Sequence, residues 1–233
     1  MKWVLICIAV LLTAGHRPAL AKSVIPVERT PYKHVLEGLV DYDSYSAVPL
    51  PGTWYRNRLP SEGVIAHTYF SGQIPSLGAV GIKRNGANAG APNAPLQEGQ
   101  GKRSFSELHL YKPADEPDNV RLTSHSPDIA SFGLRKFQGH GALVLKFTNA
   151  QFVFGFDLFP LQGNESGTPN VQLRFYDYDG KIIGAPVLLT AFGRHTFRTS
   201  DSERRVKGFD VTNLGTRPYA IDDIVFELVK FLG

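Results

Sequence analysis

Two short acidic stretches carry most of the chemistry that this 233-residue chain advertises. Asp41-Tyr42-Asp43 comes early, and Ile221-Asp222-Asp223-Ile224 opens the last expected strand, Ala220–Leu228. Strand alternation sets Asp222 in the row of Ile224, Phe226 and Leu228, toward the core, and Asp223 with Val225 and Glu227. An inward carboxylate is costly unless it is hydrogen-bonded or matched with a cation. Calcium suits such a place, because it takes six to eight oxygens from carboxylates, carbonyls and water. A carboxylate that caps loop N–H groups meets the same need, and residue chemistry alone leaves both readings open.

Aromatic rings form the second set. Sugar rings offer apolar C–H faces, for which exposed Trp and Tyr are natural platforms. Trp54 and Tyr55 follow the Pro49–Gly52 stretch, and Tyr176 and Tyr178 flank Asp177, with Tyr176 expected to point away from the Phe175 face. A tryptophan such as Trp54 is more often core filler. If Ser106–Tyr111 is a strand, His109 and Glu107 share a face, either as a small acid–base or metal pair or as ordinary polar surface. His34, His67, His125, His140 and His195 show no i, i+4 ligand spacing. The chain has no H-E-x-x-H, P-loop or G-x-S-x-G motif. In Gly163-Asn164-Glu165-Ser166-Gly167 the serine sits one place too late for a nucleophile elbow, so the stretch reads as a turn; Asn164-Glu165-Ser166 also matches a glycosylation sequon. The single cysteine, Cys7, rules out an internal disulfide and any CxxC site.

The elements that must position these residues read as strands. Phe152, Phe154, Phe156 and Leu158 share one face of Gln151–Leu158, and Leu143, Leu145 and Phe147 do the same in Ala142–Phe147. Val171, Leu173 and Phe175 alternate with Gln172, Arg174 and Tyr176. Further strands are expected at Gly63–Phe70, Val120–His125, Ile182–Leu189 and Lys207–Val211. Asp179-Gly180 marks a hairpin, since glycine accepts the positive φ of a tight turn. No window shows a helical stripe, so the expected fold is an all-β antiparallel sandwich or jelly roll over residues 35–233. Residues 22–34 read as an extended lead-in, and Lys83–Arg103, rich in Gly, Asn, Ala and Pro, as a long exposed loop.

The first 21 residues read as an export signal. Lys2 precedes the apolar run Trp3–Ala14, which is too short to span a membrane, and Ala19-Leu20-Ala21 supplies a small-x-small cleavage site. Cleavage there removes Cys7 and two of the 25 basic residues, Lys2 and Arg17, so 23 face 21 acidic ones. Charges of both signs are scattered, which argues against a nucleic-acid partner.

The stretch from Gly141 to Glu227 resembles the C-terminal half of secreted bacterial β-sandwich domains of the kind found in PEP-CTERM-sorted proteins. The resemblance rests on ordered motifs: Gly141–Phe147, Phe154-Gly155-Phe156-Asp157-Leu158, Phe175–Gly180, Gly208–Asn213 and the closing Ala220–Phe226. Val40-Asp41-Tyr42-Asp43 is similar to the family's opening strand, where the ring is usually Phe. That architecture is similar to calcium-stapled carbohydrate-binding modules. The resemblance therefore implies a structural calcium ion at Asp43 and Asp222, with Asp41 and Asp223 as weaker candidates. No sorting tail follows the last expected strand, so release or periplasmic residence is expected rather than surface anchoring.

The expectation is an exported, non-catalytic module for glycan or extracellular matrix, using Trp54, Tyr55, Tyr176 and Tyr178. A sandwich-fold glycoside hydrolase or lyase is one alternative, though no ordered acidic pair advertises it. A ligand-free structural protein of the cell envelope is another.

Overall fold

Period-two patterning becomes strand pairing wherever one row of side chains can be buried against a second sheet. The computed structural model describes residues 22–45, 52–55, 58–75, 88–99, 108–116, 118–124, 141–161, 167–215 and 217–228. Its strands, in chain order, are β1 (Val24–Val27), β2 (Gly38–Val40), β3 (Gly52–Tyr55), β4 (Leu59–Ser61), β5 (Val64–His67), β6 (Ile74–Pro75), β7 (Asn88–Ala89) and β8 (Leu108–Tyr111). They continue with β9 (Arg121–Ser124), β10 (Ala142–Gln151), β11 (Val153–Pro160), β12 (Val171–Tyr176), β13 (Val187–Leu189), β14 (Gly193–Thr199), β15 (Val206–Asn213) and β16 (Tyr219–Phe226). The helical elements described are two short 3-10 turns, Thr30–Tyr32 and Asp43–Tyr45. Among the described residues no helix is long and apolar enough to cross a membrane.

Apart from β6 and β7, which pair only with each other, the strands build two antiparallel sheets, and the fold is an all-β sandwich. One sheet runs β1-β14-β11-β16-β9-β8-β3, with β2 pairing β16 beside β9; the other runs β13-β12-β15-β10-β5-β4. Between them lies a phenylalanine core drawn from both layers. Phe154 and Phe156 of the first sheet meet Phe209 of the second at 5.2 and 5.7 Å between ring centroids, and Phe147 meets Phe154 at 5.2 Å. All four rings are fully buried, so this contact carries much of the apolar burial that joins the sheets.

Two stretches make contacts that the sequence reading did not place. Residues 22–34 are no mere lead-in: β1 pairs β14 along Val24↔Thr199 to Val27↔Thr196, and so forms the edge of the first sheet. The described part of Lys83–Arg103, residues 88–99, is largely exposed, but it is anchored to the sandwich. Leu96 from this stretch is buried with Phe70, Val144 and Tyr176 in a small second core on the outer side of the six-stranded sheet. One large apolar residue suffices to dock it, a signal too sparse for a composition-based reading.

Register also corrects the last strand. Leu158 stands opposite Ile221 and Asp157 opposite Asp222, yet Gly155 stands opposite Val225, so β16 carries one extra residue. A bulge of this kind resets the phase of the alternation. Ile221 and Ile224 both reach the core, whereas Asp222 falls in the row of Asp157, out of step with Ile224 and Phe226. Asp223 takes up the irregularity with φ +46°.

Candidate functional site

The acidic residues gather where β16 changes neighbours. Its C-terminal half pairs β2 through Ile224↔Val40, and its start pairs β9 through Ile221↔Leu122. The turn after β2 fills the break between those partners. Asp43 Oδ1 accepts the Val120 N–H at 2.9 Å just before β9, and Asp41 Oδ1 accepts the Asp43 N–H at 3.2 Å. Tyr42 sits between them at φ +56°, fully buried, its hydroxyl without a hydrogen-bond partner among the described residues.

Asp222 is buried as well, and its Oδ1 accepts the Asp223 N–H at 2.9 Å. Burial pushes its carboxyl up to about 8; the charges of Asp223 and Asp43 push the same way, against the Asp223 N–H and Arg121. Asp223 is raised too, by burial and then by Asp157, with Arg29 and Arg194 opposing. Asp157 itself is held by Arg29 at 2.8 Å and Arg194 at 3.5 Å. Asp43 and Asp222 therefore do lie close enough to feel each other's charge. Asn119, next to Val120 in the chain, has a buried side-chain carbonyl oxygen without a hydrogen-bond partner among the described residues. This donor set is all oxygen, which matches a hard cation. Among the described residues, however, no three His, Cys, Asp or Glu side chains converge into a ready ligand group. Backbone oxygens and water would have to complete any shell.

The four aromatic candidates separate. In β3, alternation sends neighbouring side chains to opposite faces, so Trp54 and Tyr55 cannot form one platform. Tyr55 is half-buried against the main core, while Trp54 lies on the outer face with 39 % of its surface exposed. Trp54 is paired in register with His109 of β8, and the two rings stack at 3.7 Å and 17°. The imidazole is buried beneath the indole and backs it. A Cβ at Gly52 (φ +143°) would run into Leu110 and the His109 ring, so the start of β3 needs a glycine for this approach. Tyr111, further along β8, and Arg121, paired with it and lying 4.0 Å over the Phe159 ring, continue the same face. Sequence reasoning missed His109 as a stacking partner, and Tyr111 and Arg121 as neighbours, because only the β3–β8–β9 register aligns them. Glu107, the other half of the expected His109 pair, lies outside the described residues, as do residues 163–166.

Tyr176 must be withdrawn as an exposed platform. It does point away from Phe175, but the 68–75 and 88–99 stretches cover that side, and it is fully buried. Its hydroxyl donates to Asp210 Oδ2 at 2.7 Å and accepts from Gln73 Nε2 at 3.2 Å. Arg174 Nη2 reaches the same carboxylate at 2.6 Å. This network satisfies the hydrogen-bonding needs of the buried Asp210 and Tyr176. Tyr178, two residues on, is 60 % exposed.

No family model, no curated protein and no solved structure matches this chain.

Proposed function

We propose that the chain is an exported, non-catalytic binding module for glycans or extracellular matrix, with a structural calcium ion at Asp43 and Asp222. The observation that carries the reading is Trp54, an exposed indole held flat by a buried imidazole on the outer face of the eight-stranded sheet. An indole fixed before binding loses little conformational freedom when a sugar ring stacks on it. Tyr111 and Arg121 lie along the same face.

The calcium reading is supported by the nearness of Asp43 to Asp222 and by the unpartnered oxygens of Tyr42 and Asn119. When bound, calcium would neutralise the two carboxylates and tie the turn after β2 to the β16 bulge. Asp41 and Asp223 remain the weaker candidates: Asp41 is engaged with the Asp43 N–H, and Asp223 faces Asp157, Arg29 and Arg194.

The test is a glycan array probed with the exported protein in chelator and in millimolar calcium, beside Trp54→Ala. Binding lost by about tenfold or more in Trp54→Ala supports the platform; array binding unaffected by that change removes it. Melting temperature in the same two buffers reads the ion. A bound ion at a hundredfold excess over its Kd stabilises by about 2.7 kcal/mol. Equal melting, with no metal found in the chelated sample, removes the staple. Mass spectrometry of the exported chain should begin at Lys22.

A further inference from the structure

We infer that a second site, a groove at one end of the sandwich, takes an anionic saccharide, with Tyr178 as the stacking ring. The inference rests on the glycan-binding reading but shares no residue with the Trp54 face. The groove has a volume of about 500 Å³ and lies where the hairpin after β12, the β10–β11 turn and the β14–β15 turn meet. That volume falls within the range of small-ligand sites.

Its apolar wall is Tyr178 with Ile182, both more than half exposed, over the buried Ile183. One short hairpin thus presents an exposed aromatic ring and a branched side chain together. The hairpin is also rigid. Asp177 Oδ1 accepts the N–H groups of Asp179 and Lys181, both at 2.9 Å, and the Leu96 N–H donates to the Tyr178 carbonyl at 2.6 Å. Gly180, at φ +75°, packs against Pro92 and Asn93. The Tyr178 ring is thus displayed on a backbone fixed from both sides, which lowers the ordering cost of stacking.

The rim is cationic: Lys22, Lys181, Arg204 and Arg205 line it against Asp177 and Asp179. The arginines are committed, Arg204 to Glu227 in a two-point pair and Arg205 to Asp201 and Glu203. The lysines are not. Among the described residues the Lys181 ammonium pairs with Asp179 alone, at 3.4 Å with both side chains more than half exposed, and such pairs hold weakly in water. Lys22 is exposed and lines the same rim. Asp177 spends its charge on backbone N–H groups, so an incoming anion meets available ammonium groups beside an aromatic face. A ring with an apolar C–H face and a carboxylate or sulfate matches both features at once. An acidic peptide matches only the charge.

The experiment is calorimetric titration of the exported protein, in chelator, with a galacturonate tetrasaccharide and a sulfated galactan tetrasaccharide. Each is compared with its uncharged counterpart, the methyl ester or the desulfated sugar, and a tetraglutamate peptide serves as the charge control. At least one charged sugar should bind about tenfold tighter than its counterpart, and weaken as salt rises. Tyr178→Ala and Lys181→Glu, both at exposed positions, should each weaken it about tenfold while Trp54→Ala leaves it unchanged. Equal binding of charged and uncharged sugars overturns the inference. So does tetraglutamate binding as well as the sugars with Tyr178→Ala indifferent. If uncharged glycans bind through Trp54 and no charged sugar binds, the groove falls and the platform stands; if no glycan binds at all, both fall.

Discussion

Glu98 shows how a single residue is set by partners distant in sequence. Its carboxylate is paired with Lys146 on β10 and with Arg58, at 3.0 Å, just before β4. Burial works against its charge, but hydrogen bonds from Lys146, its own backbone and Arg58 win and hold the carboxyl at about 2, below its usual 4.5. A depressed carboxyl stabilises the folded state fully above its unfolded value, and that contribution fades as pH falls from 4.5 toward 2. Glu98→Gln should therefore unfold more easily than wild type at pH 6, by about 1–2 kcal/mol. Denaturant titrations should show the gap closing as pH falls through that window. A constant gap from pH 6 to 2 would mean that the loss comes from packing. The same dependence on neighbours holds for Trp54, whose ring is backed by His109 only because β3 pairs β8 in that register.

At the scale of elements, β1 depends on one side chain beyond its ladder. It is a four-residue edge strand, and Pro26 limits the hydrogen bonds it can make. Just after it, Arg29 crosses Gly155 to reach Thr196 at 3.2 Å and Asp157 at 2.8 Å, binding β1 to β14 and β11. Both side chains of the Arg29–Asp157 pair are only 11 % exposed. Removing one partner of a buried pair leaves a charge in a poor dielectric, although Arg194 stays near Asp157. Arg29→Ala should cost about 2–3 kcal/mol and speed amide exchange in Val24–Val27 before the rest of the sheet. If β1 exchanges no faster in the variant, the ladder alone holds it. The β16 bulge works at the same scale, since one extra residue decides which row Asp222 joins.

For the molecule as a whole, the two sheets stand or fall by their shared rings. Phe209 lies within 5.2–6.4 Å of Phe147, Phe154, Phe156 and Phe175, from both layers. Phe209→Ala should destabilise the fold by about 3–5 kcal/mol, the range for a large buried ring. Denaturant unfolding followed by tryptophan fluorescence and by far-UV circular dichroism should shift together, because the sheets share one core. Separate transitions for the two probes would mean that the layers unfold independently. Most strands lie in a neighbouring order different from their order in the chain, β10 between β15 and β5, for example. Contacts are therefore mostly long-range, a topology associated with slow folding.

The all-β class, the longest strands and the Asp179-Gly180 hairpin were legible in the sequence because they follow from local rules. Alternating apolar residues in Ala142–Gln151, Val153–Pro160 and Val171–Tyr176 must be buried on one side whatever they pair with. Asp43 and Asp222 could be nominated together only through resemblance, and the register of β16 then placed Asp222 in a row the simple alternation did not assign. Tertiary structure alone decided which aromatics reach solvent. Tyr176 and Tyr178 look alike in the chain, yet Leu96, some 80 positions earlier, helps to cover one and leaves the other exposed. Trp54 and Tyr55 are adjacent, yet opposite faces of β3 separate them, and His109 under Trp54 comes from a strand more than 50 residues away. Local sequence sets what each segment can become; exposure and proximity belong to the pairing of distant strands, which no single segment encodes.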